Sequence, residues 1–178
     1  MKKFRHNHMK MLQSLGQAAQ DTLRRQFPEL QAVHEKEPHS MGGFAISVFD
    51  HWLHDESEWH LMDCYAGPER AERDRKFLGH WEALFDSTEV FTVRWRGRWP
   101  RKSKLVIKKY LDKSGFLSQC RSDPRKSSTQ FVLLPEYDCI FVASWDDTNV
   151  CFFNSRERAE PVISLAKRCG LHCLEFDA

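Results

Sequence analysis

The sequence predicts an α+β domain, a mainly antiparallel β-sheet with helices packed on it. The last forty residues, Tyr137 to Phe176, read as strand, tight turn, strand, helix, strand. Short apolar runs bounded by Pro, Gly and Asp clusters recur upstream, as strands joined by turns do. Between them lie stretches with apolar residues at helical spacing. A chain of 178 residues suits one domain, and its 41% hydrophobic content can fill a core. No repeat or linker divides residues 1–178.

From the N-terminus, Met9 to Phe27 is predicted as one helix, since Met11, Leu12, Leu15, Ala18, Ala19, Thr22 and Leu23 repeat with helical period and Pro28 helps to stop it. Glu29 to Gly43 is polar and reads as a loop with a short turn. Phe44 to Phe49 is a strand. Asp50 to Asp63, with five carboxylates, three His and no Lys or Arg, is an acidic hairpin connection. It leads into an alternating strand over Trp59 to Tyr65. After the Gly67-Pro68 break, Glu69 to Phe85 is a helix with Phe77, Leu78, Trp81, Leu84 and Phe85 on one stripe. Thr88 to Trp95 is a strand with Phe91, Val93 and Trp95 on one face and Thr92, Arg94 and Arg96 on the other. Lys104 to Leu111 reads as a helix, with a strand as the alternative. Ser114 to Ser128 is a polar loop, and Gln130 to Leu134 a strand.

The C-terminal unit follows. Cys139 to Ala143 is too apolar and too short for a free helix and reads as a buried strand. Asp146-Asp147-Thr148-Asn149 turns the chain into Val150 to Phe153. Asn154 and Ser155 are both good helix N-caps. Val162, Leu165, Ala166 and Cys169 form an apolar helical face, and Gly170 stands where a left-handed residue ends the helix. Leu171 to Phe176 is the last strand. Phe141, Val142, Val150, Phe152, Val162 and Leu165 are expected in one core.

The six cysteines lie mostly inside apolar runs, with no CxxC pair, as small buried hydrophobes do. The first fifteen residues lack an uninterrupted apolar region, and no stretch approaches the eighteen apolar residues of a membrane span. These features predict a cytoplasmic protein with reduced thiols and no membrane association.

Four short words follow one another from Trp59 onward: Glu82-Ala83-Leu84-Phe85-Asp86 near a helix end, Lys108 to Leu111, Trp145-Asp146-Asp147, and the strand, helix and strand after it. Over roughly two thirds of the chain this layout resembles a family of small bacterial α+β domains with an Asp-Asp hairpin turn, of the toxin-immunity kind. Where that family continues with Arg-Gly, this chain has Thr148-Asn149. The resemblance implies a non-secreted bacterial protein that neutralises a toxin. It implies no catalytic residue.

The chemistry-bearing groupings are few. His51, His54 and His60 lie among Asp55, Glu56 and Glu58, types that could bind a divalent metal; the plainer reading is a solvated connection. Asp146-Asp147 reads first as a turn whose carboxylates cap backbone N–H groups. Cys169 and Cys173 have no feature that would lower a thiol pKa, and His172 alternates away from Cys173. Met41-Gly42-Gly43 is too short for a phosphate loop. No catalytic residue, cofactor or metal ligand is assigned.

The strongest signal is electrostatic. Residues 94–126 hold twelve of the chain's 27 Lys and Arg and two of its 25 Asp and Glu, a net of +10 in a protein of net +2. Everything else therefore carries −8. Arg94, Arg96, Arg98, Trp99, Lys108 and Lys109 are the candidate partner-binding residues. Arginines interleaved with tryptophan can pair with an acidic protein or bind phosphates and stack on bases. They can also be a solvated face, or fold onto the acidic 50–63 segment. The expected function is a non-enzymatic, immunity- or antidote-type protein binding one protein partner, a toxin in the family it resembles. The alternatives are a nucleic-acid-binding module on the basic stretch and a metal-dependent hydrolase on the His51–His60 cluster.

Overall fold

The computed structural model describes residues 11–35, 40–96, 104–120, 131–143 and 147–176. Along the chain, β1 (Leu12–Ser14), α1 (Gln17–Gln26) and α2 (Leu30–Glu35) precede β2 (Gly42–Ser47). A 3-10 helix, Glu56–Met62, leads to α3 (Gly67–Ser87), β3 (Phe91–Arg96), β4 (Lys104–Tyr110) and α4 (Lys113–Cys120). The remainder is β5 (Phe131–Leu134), β6 (Cys139–Val142), β7 (Thr148–Phe153), α5 (Arg156–Arg168) and β8 (His172–Glu175). The fold is α+β, with one eight-stranded sheet in the order β1–β4–β3–β5–β6–β7–β2–β8 and every pairing antiparallel.

The C-terminal unit matches its sequence pattern closely. The Ser155 hydroxyl caps α5 by accepting from the Arg158 N–H. The helix ends with Gly170 in the left-handed region at φ 76°. There the Gly170 N–H bonds the Lys167 carbonyl and the Leu171 N–H bonds the Ala166 carbonyl, each at 3.0 Å, so the last turn leaves few carbonyls open.

Helices cover both sheet faces, which divides the expected single core in two. On one side Trp81, Leu84, Phe116, Val162 and Ala166 from α3, α4 and α5 meet Phe44, Phe141 and Cys151. On the other, Leu23, Phe27, Leu30 and Val33 from α1 and α2 meet Phe91, Ile107, Leu133 and Ile140. Strand alternation sends Phe141 to the first core and Val142 and Phe152 to the second, so those residues do not pack together. An unbroken apolar run is what a strand buried on both faces requires.

Five elements differ from expectation. The loop expected over Glu29 to Gly43 contains α2, whose Leu30 and Val33 are buried in the second core, and the first two residues of β2. The predicted helix over 9–27 begins only at Gln17. Leu12–Ser14 instead pairs with β4, and extended Gly16 separates the two. Gln20 then continues the edge contact beyond β1: its side-chain amide donates to the Ile107 carbonyl at 3.1 Å and accepts the Ile107 N–H at 3.0 Å. Lys104–Tyr110 is a strand, held by β3 on one side and β1 on the other, with Ile107 directly opposite Val93. The loop expected from Ser114 contains α4, anchored by fully buried Phe116 against Tyr110, Phe85 and Trp81. The strand expected over Trp59–Tyr65 is largely 3-10 helix, because both flanks of β2 are already taken by β7 and β8.

Candidate functional site

The β3–β4 hairpin places the basic residues by register. Thr92 faces Lys108 and Arg94 faces Val106, so Arg94 and Lys108 share the sheet face that α4 borders. Arg94 is exposed, and its guanidinium donates to Gln119 Oε1 on α4 at 3.3 Å. Lys109 pairs in register with Phe91 and so lies on the opposite face, where its ammonium meets Glu89. Arg96 pairs with Lys104 at the hairpin's far end. Arg98 and Trp99 lie outside the described residues. Of the candidates, Arg94 and Lys108 thus stand diagonally across β3 and β4 on one face, and Lys109 on the other.

The acidic segment lies near the other end of the sheet, after β2 and beside edge strand β8. The Trp52 indole N–H donates to the Glu175 carbonyl at 2.8 Å, and its ring stacks on Phe176 at 5.7 Å. Six strand spacings separate β4 from β8, about 29 Å at ~4.8 Å each. On the sheet, the strands that carry Arg94 and Lys108 are therefore well separated from edge strand β8.

Within that segment His51 bridges Asp50 at 2.6 Å and Glu58 at 2.8 Å. These carboxylates, Asp50 foremost, raise the imidazole's pKa, and the His51 hydrogen bond lowers that of Asp50. Asp55 caps the 3-10 helix by accepting the Ser57 N–H, which lowers its own pKa. His60 Nδ1 lies 2.6 Å from the Ser57 carbonyl, and the His54 ring tilts against Trp52. The three imidazoles have separate partners. Among the described residues no three His, Cys, Asp or Glu side chains are arranged to hold a metal.

All six cysteines are free thiols. Burial raises Cys169, pushes Cys173 up to about 11 and raises Cys151 well above the ordinary thiol value. These environments disfavour the thiolate that nucleophilic chemistry needs.

Asp147 sits in the turn before β7, buried and left-handed at φ 58°. Arg70 Nη1 donates to both its carboxylate oxygens, at 2.7 and 2.9 Å, and Arg73 Nη1 to one at 2.9 Å. The Arg73 guanidinium lies 5.1 Å from the Phe49 ring centroid, and Arg73 Nη1 also donates to the Leu61 carbonyl. One carboxylate thus ties α3 to the end of the sheet. Asp146 lies outside the described residues. The sequence carried a signal for this cluster: Arg73 and His80 continue the stripe of Phe77, Trp81 and Leu84, where a solvent-facing residue is not expected.

Comparison of the chain with protein families, curated proteins and solved structures finds no match. No helix among the described residues is long and apolar enough to cross a membrane.

Proposed function

We propose that this is a non-enzymatic, immunity- or antidote-type protein that binds one acidic protein partner through the basic face of the β3–β4 hairpin. The observation that carries the reading is the placement of Arg94 and Lys108 on one face of β3 and β4, five and six strand spacings from β8, about 24 and 29 Å at ~4.8 Å each. Among the described residues Arg94 and Lys108 form no ion pair with Asp or Glu, whereas Lys109 pairs with Glu89 and Lys113 with Glu82 and Asp86; cations so left attract a negative surface and speed its approach. Nucleic acid would use the same charge, and salt separates the two. A groove contacting several phosphates loses affinity with a slope of about −0.7 per contact for single strands. Buried protein contacts survive moderate salt.

The test compares wild type with R94S/K108S, using K109S as a control from the other face. Immobilised wild type is expected to retain one stoichiometric protein partner near physiological salt, and R94S/K108S to lose it. A labelled short single strand should bind weakly and dissociate near that salt. Submicromolar binding to the strand, abolished by R94S/K108S, would move the assignment to a nucleic-acid-binding module.

A further inference from the structure

His80 lies mid-way along α3 and is fully buried, with neither ring nitrogen hydrogen-bonded among the described residues. A neutral imidazole carries one N–H donor and one bare acceptor, so burying it unpaired costs stability. Its ring centroid is 5.7 Å from that of Trp81 and 5.9 Å from that of Phe141. The Val162 backbone on α5 is the polar group that acts on it, without the geometry of a formed hydrogen bond.

The elements packed there bring no charge to balance an imidazolium. α5 buries Ala159, Val162, Ile163, Leu165 and Ala166. The sheet brings Phe141 and the Cys139 and Cys151 thiols, the latter kept protonated by burial. On α3, Lys76 stands one turn before His80 with its side chain against Gly170, a further positive charge, and Arg73 is two turns away and already shared between Asp147 and Glu69. The buried carboxylates among the described residues are Asp147 and Asp138. The first is held by arginines, and the second accepts from Gln26 and Asn154.

We propose that His80 is an acid-operated release for the helical layer, whose protonation breaks the packing of α3 and α5 on the sheet. The ring, carried by α3, is enclosed by Trp81, the sheet's Phe141 and the α5 backbone at Val162, so a charge placed on it is relieved only by separating these elements or by admitting water.

Burial pulls His80 down to about 4 from an ordinary 6.5. Because the folded value is the lower one, the unfolded chain takes up the proton first. Above pH 6.5 both states are neutral at this position and His80 leaves stability independent of pH. As pH falls from 6.5 to about 4 stability is lost progressively. At a factor of ten per pH unit, the folding constant drops about 300-fold across that window.

Thermal and urea stability measured from pH 7 to 4 on wild type, His80→Phe and His80→Leu reads this directly, because exposed carboxylates and other histidines titrate alike in all three. Wild type is expected to lose about 300-fold more in folding constant than His80→Phe. Amide exchange should accelerate first in α3 and α5. Should both variants fail to fold, the wild-type ring decides by NMR: it should remain neutral at pH 5.5. A folded-state ring that titrates near 6.5, or equal acid sensitivity in wild type and His80→Phe, overturns the proposal.

Discussion

Asp147 adopts a backbone that a non-glycine residue enters at a cost, and holds two arginines from there. Its side chain is 7% exposed, so removing it leaves two guanidinium groups short of a buried partner. Asp147→Ala is expected to lower stability by about 3–5 kcal/mol, read from urea midpoints. Asp147→Asn suits the left-handed turn but lacks the charge, and should recover little. A loss below about 1 kcal/mol would mean that the existing pairs of Arg70 with Asp74 and Arg73 with Glu69, together with water, suffice for both guanidinium groups. The turn was legible from Asp146-Asp147. Its partners were legible only in part: Arg73 falls on the apolar stripe of α3, but Arg70 with Asp74 and Glu69 with Arg73 also fit as ordinary i,i+4 surface pairs.

At the scale of elements, legibility followed how local the determinants are. Helix α5 carries its own start and stop signals in Ser155 and Gly170. Gly170→Ala tests the stop: at φ 76° an added Cβ meets only the Lys76 side chain, 3.5 Å away, so the backbone conformation carries the cost. About 1–2 kcal/mol should be lost in thermal or urea unfolding. Equal stability would mean that the helix ends differently. Strand β4 was ambiguous because Leu105, Ile107 and Leu111 among lysines suit a helix as well as a strand, and only the flanking strands β1 and β3 decide. The 3-10 helix was misread as a strand for the same reason: Trp59 to Tyr65 alternates, but no sheet position beside β2 is open to it.

For the molecule as a whole, the sheet is the partition between two cores. Phe141 is fully buried on the α3–α5 side, while Phe152 is half-buried on the α1–α2 side. Phe141→Ala should cost roughly 3–5 kcal/mol, and Phe152→Ala a smaller amount, in proportion to the area it covers. Equal losses in urea unfolding would contradict the two-core arrangement. Charge segregation was readable from composition, but its distance across the sheet was not, because that depends on a strand order that no local signal encodes. The basic candidates likewise divided by strand parity: Lys108 and Lys109 are neighbours in sequence and face opposite ways.

The contacts at the two ends of the sheet limit how another chain can engage it. Gln20 occupies the N–H and carbonyl of Ile107 where β1 stops, Arg24 donates to the Leu105 carbonyl, and at the far end Trp52 takes the Glu175 carbonyl of four-residue β8. A neighbouring polypeptide that tried to extend the ladder at these positions would first have to evict these side chains. This guards against runaway strand-to-strand polymerisation when the protein is crowded or partly unfolded. It also leaves recognition to side chains standing off the sheet faces, so that specificity is written in charge and shape rather than in main-chain pairing.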